Sequence, residues 1–370
     1  MMTFLSNNPA KRILCNMAIL LFIALLGADT ACAQAKFIKL TALKIEFTGS
    51  YDDNILRYSS RDIERFQNRR EYYPSKLSTY DDWQNDFRLK FYFAGPKALN
   101  SPPEIWYFGK FSQYCNNPFN NYSTHTLIIN QKLSKSFSLK LRYFYMPDFY
   151  LREYKDRDLN QYHSCRFDDH QAGAGLNFRW NQRIELSLFA ELEQIYYNKY
   201  FTEYDSELWS GNAGINYRFN PDWRFLLDLG YTQSDNIGYK SLISAGGVTP
   251  NEDTEYGDSS YDEEIYQAEI RYRKRNLFGG KDVWFSLQYK LRHRIYTTDN
   301  HLLADPYHSS RSDDRQRIIF TLSRKLTAKL EGAFSYTREW RITHSDYAPV
   351  EEVKNFTQDI FSLDLTYSIY

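Results

Sequence analysis

The chain has 370 residues, of which 46 are basic and 46 acidic, so its formal net charge at pH 7 is zero. This balance excludes a global electrostatic attraction to nucleic acid. Mean hydropathy is −0.63, yet 18% of the residues are aromatic and 32 are tyrosine. Amphipathic rings favour the two membrane–water interfaces, so the composition favours a membrane β-barrel over a soluble domain.

The N-terminus predicts a cleaved secretory signal peptide over residues 1–33. Lys11 and Arg12 supply a positive start, and an apolar run follows over residues 13–28. Ala31-Cys32-Ala33 then provides a cleavage site of small residues. The apolar run is too short to be read comfortably as a membrane-spanning helix.

Residues 34–370 are predicted to form a single all-β domain of fourteen strands. Each segment alternates apolar and polar residues, over about the 9–11 residues that a tilted strand needs to cross a bilayer. Alternation of this kind gives each strand one face for lipid and one for a polar interior. In chain order the segments are 43–51, 86–93, 105–115, 127–133, 137–145, 174–180, 184–192, 209–219, 223–231, 266–272, 283–291, 318–322, 326–336 and 361–370.

The connections between these segments alternate in length. Those after even strands are brief, as in Asn220-Pro221-Asp222, and those after odd strands are mostly long. This asymmetry is typical of bacterial outer-membrane barrels, and it predicts periplasmic termini and extracellular long loops. The first long loop contains Ser59-x-x-Asp62 before Ile63 and Phe66, which predicts a short capped helix. The long loops are 52–82, 146–168, 197–205, 232–262, 297–314 and 339–355.

A soluble β-sandwich is the alternative fold, because its strands also alternate, with the apolar face turned inward. The signal peptide, the loop asymmetry, the aromatic content and the uniform strand length favour the membrane barrel. The sequence therefore predicts a transmembrane antiparallel up-and-down β-barrel, with short periplasmic turns and long extracellular loops.

One hairpin carries a family resemblance. The strand–turn–strand Ile215–Trp223 resembles the periplasmic hairpins of bacterial outer-membrane β-barrel proteins, and the ending on Tyr370 resembles their C-terminal insertion signal. The final alternation departs from that class, because Ile369 directly precedes Tyr370. In pattern the resemblance covers the mature chain, and fourteen strands without an extra domain resemble small monomeric porins. It implies a Gram-negative outer membrane, lipid and lipopolysaccharide as partners, and recognition by the barrel-insertion machinery.

The inward positions of three adjacent strands, the tenth to the twelfth, are rich in cations. Walls of Arg and Lys favour anions in a pore. The alternative is that these charges pair across strands and only stabilise the wall. The predicted basic wall consists of Arg271, Arg273, Lys290, Arg292, Arg294, Arg315 and Arg317, and the predicted acidic lumen residues are Glu185, Glu191 and Glu193.

Two cysteines, Cys115 and Cys165, remain in the mature chain. In an exported protein a pair of cysteines predicts one disulfide. With Cys115 near the outer end of the third strand and Cys165 in a loop, this bond would tie the loop to the barrel rim.

The leading functional hypothesis is a porin-like outer-membrane channel for passive diffusion of small polar solutes, anions among them, without cofactor, metal or enzymatic activity. The first alternative is a surface binding or adhesion barrel that acts through its extracellular loops. The second is a rim-located lipid hydrolase, suggested by His163-Ser164, His308-Ser309-Ser310 and His344-Ser345. A serine nucleophile needs an adjacent base and an orienting third group, which spacing alone does not provide. Nucleic acid is not expected as a partner.

Overall fold

The computed structural model describes residues 38–68, 76–97, 99, 101–156, 159, 161–240, 255–277 and 280–369. The predicted signal peptide, residues 1–33, and the predicted insertion signal, Tyr370, lie outside the described residues.

The described residues form fourteen β-strands in one closed sheet. Every strand pairs antiparallel with its neighbours in the sequence, and the first strand pairs with the last, Lys44 opposite Ser368 and Asp52 opposite Ile360. The predicted up-and-down barrel is therefore confirmed. The strands are β1 (Lys39–Asp52), β2 (Asp82–Ala94), β3 (Glu104–Tyr114), β4 (Tyr122–Lys132), β5 (Phe137–Lys155), β6 (Tyr162–Arg179), β7 (Ile184–Tyr197), β8 (Ser206–Arg218), β9 (Trp223–Asp235), β10 (Tyr261–Leu277), β11 (Lys281–Tyr296), β12 (Ser312–Lys325), β13 (Leu330–His344) and β14 (Phe356–Ser368).

The outer surface of the barrel carries the large apolar side chains. Leu188 on β7 is 62% exposed and Leu363 on β14 is 59% exposed, and Phe87 and Leu287 are also exposed. In water each such side chain would cost about 25 cal/mol per Å² of apolar surface. A continuous band of this kind is stable only against lipid, so the barrel spans a membrane through its strands.

Aromatic side chains mark both ends of this band. Towards the long loops, the Tyr51 hydroxyl donates to Asp81 (2.7 Å) and the Tyr336 hydroxyl donates to Asp359 (2.7 Å). Towards the short turns, the rings of Trp223 and Tyr272 stack with their centroids 4.4 Å apart. A ring with an apolar body and a polar tip suits a membrane–water interface.

The long connections lie at one end of the barrel, but one of them is much shorter than predicted. Residues 146–168 were predicted to be a loop, whereas β5 continues to Lys155 and β6 begins at Tyr162. The alternation is interrupted at Met146-Pro147-Asp148, and the pairing absorbs the irregularity as a bulge between Met146 and Phe149. A bulge shifts the register without ending the pair, so the hairpin extends beyond the apolar band.

Two helices lie in the long loops, α1 (Ser60–Asn68) and α2 (Ala348–Lys354). The Ser59 hydroxyl accepts from the Asp62 backbone N–H at 3.0 Å, so the predicted capped helix is confirmed. The two helices contact each other, with Arg61 Nη1 2.8 Å from Glu352 Oε2. Among the described residues, no helix has the length and the apolar character needed to cross a membrane.

The structure contradicts the predicted disulfide between Cys115 and Cys165. Cys115 is a free, exposed cysteine just after β3, and Cys165 is a free, buried cysteine within β6 rather than in a loop. Strands β4 and β5 separate β3 from β6. Neighbouring strands are about 4.8 Å apart, whereas a disulfide needs Cα atoms within about 7 Å. The bond predicted from cysteine count therefore does not form in this structure.

The two faces of β14 give a matched test of the barrel's orientation. We expect Leu363→Arg, on the outer face, to lower the free energy of unfolding by about 2–4 kcal/mol, because it places a cation in lipid. Ser362→Arg, one residue away on the lumen face, should change it little. Urea unfolding in phospholipid vesicles measures both values, and equal losses would contradict the assignment of faces.

Candidate functional site in the barrel lumen

The seven residues of the predicted basic wall lie on the inner face of the barrel. On β11, Leu287 and Tyr289 are exposed on the outer surface, so the alternate residues Lys290, Arg292 and Arg294 point inward. On β10 and β12, the exposed residues Tyr266, Ile270 and Phe320 define the outer face in the same way. The residues that point inward there are Arg271, Arg273, Arg315 and Arg317.

Adjacent strands place some of these cations directly opposite one another. Lys290 pairs in register with Arg317, and Arg292 pairs with Arg315. Like charges in directly opposite positions destabilise a sheet. The wall therefore depends on negative charge supplied by other residues or by the solution in the lumen.

One buried carboxylate serves Arg292 and Arg294. Arg292 Nη2 lies 2.6 Å from Glu263 Oε1, and Arg294 Nη2 lies 3.0 Å from Glu263 Oε2. The Glu263 side chain is 3% exposed, whereas the two arginines are about a quarter to a third exposed. The two guanidinium groups thus cover the carboxylate, and each guanidinium group keeps one side open to the lumen.

A second buried carboxylate, Glu339 on β13, serves three arginines. Arg315 Nη2 lies 2.5 Å from Oε1, and Arg317 pairs with Oε2. The third partner is Arg57, from the loop after β1, whose Nε lies 3.1 Å from Oε1. Glu339 is 1% exposed, while Arg57 is 43% exposed. Here too the acid is buried and the cations face the lumen.

Positive charge exceeds negative charge within one group of side chains on this wall. We call the six cations of this region the lumen cation cluster: Arg57, Lys290, Arg292, Arg294, Arg315 and Arg317. Within the described residues, their ion-pair partners are the two carboxylates Glu263 and Glu339, and Lys290 has no carboxylate within ion-pair distance. Counted with these two partners, the cluster carries a surplus of about four positive charges, part of which Glu193 on β7 offsets through its interaction with Arg292.

The remaining two residues of the predicted wall, Arg271 and Arg273, lie closer to the short turns and have separate partners. Arg271 donates two hydrogen bonds to Glu269, at 2.5 and 2.9 Å. Arg273 donates to Asp222 in a short turn at 2.9 Å. The structure thus divides the predicted wall into two groups. A cavity of about 570 Å³ lies beside Arg271. Its lining includes Arg224, Glu269, Arg271, Trp284 and Gln288.

The three predicted acidic residues share the inner face of β7, opposite the exposed Leu188. Glu191 Oε2 lies 2.7 Å from Arg142 Nη2 on β5. Glu193 is within electrostatic range of Arg142 and Arg292. Glu185 lies near the short-turn end of β7, where it pairs in register with Arg179. Glu191 and Glu193 thus give the lumen an acidic side that faces the cation cluster.

The first long loop crosses the outer end of the lumen through residues 56–62, which we call the L1 segment. Towards β13, the Arg57 side chain contacts Glu339. Towards β5, Arg152 donates to the carbonyl of Leu56, the residue next to Arg57 (3.4 Å), and lies 3.9 Å from Asp62. Six steps separate β5 from β13 around a ring of fourteen strands, so the two strands are almost opposite. The L1 segment is therefore a strap that narrows the passage.

The loop between β9 and β10 and the loop between β13 and β14 are joined by a buried ion pair between Glu255 and Lys354. Burial alone would raise the pKa of Glu255, but the charges of Lys354, Arg152 and Arg311 outweigh it and hold this pKa at about 2. The ordinary value is 4.5, so folding favours the ionised carboxylate. Charge pairing thus keeps the outer loops together.

The histidines considered for hydrolysis have structural contacts instead. The His308 ring pairs with Asp305 (2.8 Å), which also accepts from the Asp258 backbone N–H. The His163 ring stacks on Tyr200 with centroids 3.8 Å apart. In the part of the chain that the structure describes, no hydrogen bond joins His163, His308 or His344 to a serine hydroxyl. The described residues also hold no group of three or more metal-ligating side chains.

Two members of the site were missed by sequence reasoning. Arg57 lies in a loop, where no periodicity indicates a direction for the side chain. Glu263 stands in an acidic run at the end of the predicted loop 232–262, but β10 begins at Tyr261. Glu263 lies on the same face of the strand as Gln267 and Glu269. Continuing that alternation towards the N-terminus would have extended the predicted strand to Glu263.

A closed sheet, an outward apolar band and a charged lumen define a transmembrane β-barrel, the architecture of bacterial outer-membrane barrel proteins. No protein-family model matches the chain. No curated protein matches it either.

Solved structures with this kind of fold include bacterial outer-membrane channels. The outer membrane channel DcaP of Acinetobacter baumannii is 11% identical, with 90% of this chain and 97% of that chain covered and a TM-score of 0.48. OccAB3 of the same organism is 13% identical, with coverage of 89% and 99% and a TM-score of 0.39. An anion-selective porin from Comamonas acidovorans is 8% identical, with coverage of 90% and 100% and a TM-score of 0.42. At these values the likeness concerns the fold alone.

The pKa of Glu255 predicts how acid affects the outer loops. Because the pKa is lower in the folded state, the stabilisation is fully present above pH 4.5 and is lost as pH falls through about 2. Hydrogen–deuterium exchange, corrected for its intrinsic pH dependence, should show residues 255–260 and 348–354 protected at pH 4.5 and exposed at pH 2. Glu255→Gln should remove protection at both pH values. Equal protection of the variant and the parent would contradict the role of this ion pair.

Proposed function

We propose that this protein is a porin-like channel of a Gram-negative outer membrane, which lets small polar solutes diffuse passively and prefers anions. The observation that carries the proposal is the charge surplus of the lumen cation cluster. A wall of Arg and Lys concentrates anions and repels cations in a narrow polar passage. The L1 segment supports the proposal, because it confines solutes to a passage beside these cations.

The arrangement of the cluster suits transit rather than permanent binding. Each buried carboxylate is shared by at least two arginines, so guanidinium N–H groups remain available to a passing anion. An anion exchanges its water for these donors and then moves to the next cation. Conduction needs sites that bind well enough to admit an ion and weakly enough to release it. No covalent step or cofactor enters this mechanism.

The location follows from the same proposal. Residues 1–33 would direct export to the periplasm and would then be removed. Tyr370 would then present the C-terminal signal to the barrel-insertion machinery. In the membrane, the outer aromatic girdle and the long loops would meet lipopolysaccharide, and the apolar band would meet lipid.

Reversal potentials across a planar bilayer test the anion preference. We expect the purified protein to favour chloride over potassium at 0.1 M salt, where charges act over about 10 Å. Arg292→Ala with Arg317→Ala should lower the anion-to-cation permeability ratio about fourfold or more. Two charges about 10 Å from a permeating ion in water alter its energy by about 0.8 kcal/mol in total. The preference should weaken at 1 M salt, because the screening length falls to about 3 Å.

The double variant retains the fold by design, because Glu263 keeps Arg294 and Glu339 keeps Arg57 and Arg315. The matched control is Lys135→Gln in an exposed short turn, which should leave the ratio unchanged. A cation preference in the parent protein that the double variant does not alter would overturn the proposed selectivity. Absence of any conductance would favour a surface-binding barrel instead.

A further inference from the structure

Three aromatic side chains lie inside the lumen, where polar residues are expected. Phe87, Leu89 and Phe111 are exposed on the outer surface of β2 and β3. Their alternates Tyr92, Trp106 and Phe108 therefore face inward. All three are half-buried, so part of each ring remains open to the lumen.

The three rings form one continuous apolar surface. Tyr92 is directly opposite Trp106 in register. The ring centroid of Tyr92 lies 5.8 Å from that of Trp106 and 5.7 Å from that of Phe108, and Trp106 and Phe108 are 6.4 Å apart. These separations are those at which aromatic rings attract one another. Ile128 on β4, opposite Trp106, extends the surface on one side.

Two lysines border these rings. Lys44 Nζ lies 5.8 Å from the centroid of the Tyr92 ring, and Lys90 Nζ lies 5.6 Å from that of Phe108. Cations at this distance are attracted to the ring faces. We call the five residues the ring–lysine patch: Lys44, Lys90, Tyr92, Trp106 and Phe108.

The patch has more positive than negative charge. Lys90 shares Glu46 with Arg88, at 2.5 and 3.0 Å. Within the described residues, Lys44 has no carboxylate within ion-pair distance, and it lies directly opposite Lys90 in the sheet. Like charges directly opposite one another destabilise a sheet, and an anion beside Lys44 would offset that repulsion. The rings and the free ammonium group are therefore adjacent and face the same space.

We propose that the ring–lysine patch binds small organic anions that carry a flat apolar ring, such as an aromatic carboxylate. The ring would pack on Tyr92, Trp106 and Phe108, and the carboxylate would pair with Lys44. An anion without a ring gains only the lysine contact, and a neutral ring gains only the packing. This proposal rests on the proposed function, because a solute must enter the lumen to reach the patch.

The patch and the lumen cation cluster are separate stations. Tyr92 lies two residues from the short-turn end of β2, and Trp106 lies equally close to the short-turn end of β3. Arg292 and Arg294 lie within the last five residues of β11, towards the long loops. Anion preference and ring retention can therefore be tested independently.

Single-channel block by benzoate, compared with acetate, tests the patch. The two anions carry the same carboxylate and differ by the ring. We expect benzoate added to the short-turn side to block the parent protein with an affinity about tenfold higher than acetate. Trp106→Ala with Phe108→Ala should abolish this difference. Phe111→Ala, which removes a lipid-facing ring from the same strand, should preserve it.

The outcomes separate the two proposals. If the parent protein prefers cations, the proposed function fails. If it prefers anions but holds benzoate and acetate equally, or if the ring variant still discriminates between them, the ring–lysine patch is overturned. The ring variant should keep the chloride preference of the parent.

A second variant keeps the test decisive if the ring variant does not fold. Lys44→Gln removes no ion pair, and it should weaken block by benzoate severalfold while it leaves packing of the rings intact. Unchanged affinity in this variant, with heat-modifiable migration on a gel confirming a folded barrel, would also overturn the proposal.

Discussion

Closure of the sheet is the constraint on which the rest of this structure depends. In lipid there is no water to satisfy backbone N–H and C=O groups, so an open strand edge is excluded. The pairing of β1 with β14 removes the last edge. Once the sheet is closed, the period of two along each strand assigns every side chain either to lipid or to the lumen. The apolar band, the aromatic girdles and the charged lumen all follow from that assignment.

Closure also brings the inward charges within a few ångströms of one another. Arg292 opposite Arg315, and Lys290 opposite Arg317, would destabilise an isolated sheet. Glu263 and Glu339 offset this repulsion by each serving several arginines from a buried position. The compensation by these two carboxylates is incomplete. Under the proposed function, the remaining positive charge would be balanced by anions from solution, and the same surplus that strains the wall would be the source of the anion preference.

The sequence was sufficient for whatever depends on local period, and insufficient for whatever depends on loops. Alternation predicted the strands and their faces, and the Ser59-x-x-Asp62 motif predicted the capped helix. Alternation could not place Arg57, because a loop side chain has no periodic direction. It ended β5 at Tyr145, since a bulge interrupts the pattern without ending the pairing. It did not identify Trp106 and Phe108 as lumen residues within the predicted segment 105–115, because inward aromatic residues obscure the contrast between the two faces. The prediction of a disulfide was wrong for a related reason, because the number of cysteines carries no information on which strands are neighbours.

The L1 segment relates the two proposed stations to each other. It joins β13 to β5 at the outer end only, because β1 ends at Asp52 and the strap follows it. Under the proposed function, a solute that enters from outside would meet the cation cluster on β10 to β12 at the level of the strap. Below the strap the same solute would be free to move across the lumen towards β2 and β3, where the aromatic rings lie. Charge would then act first and ring contact later, so the two proposed stations would govern different properties: admission at the outer end and residence time at the inner one.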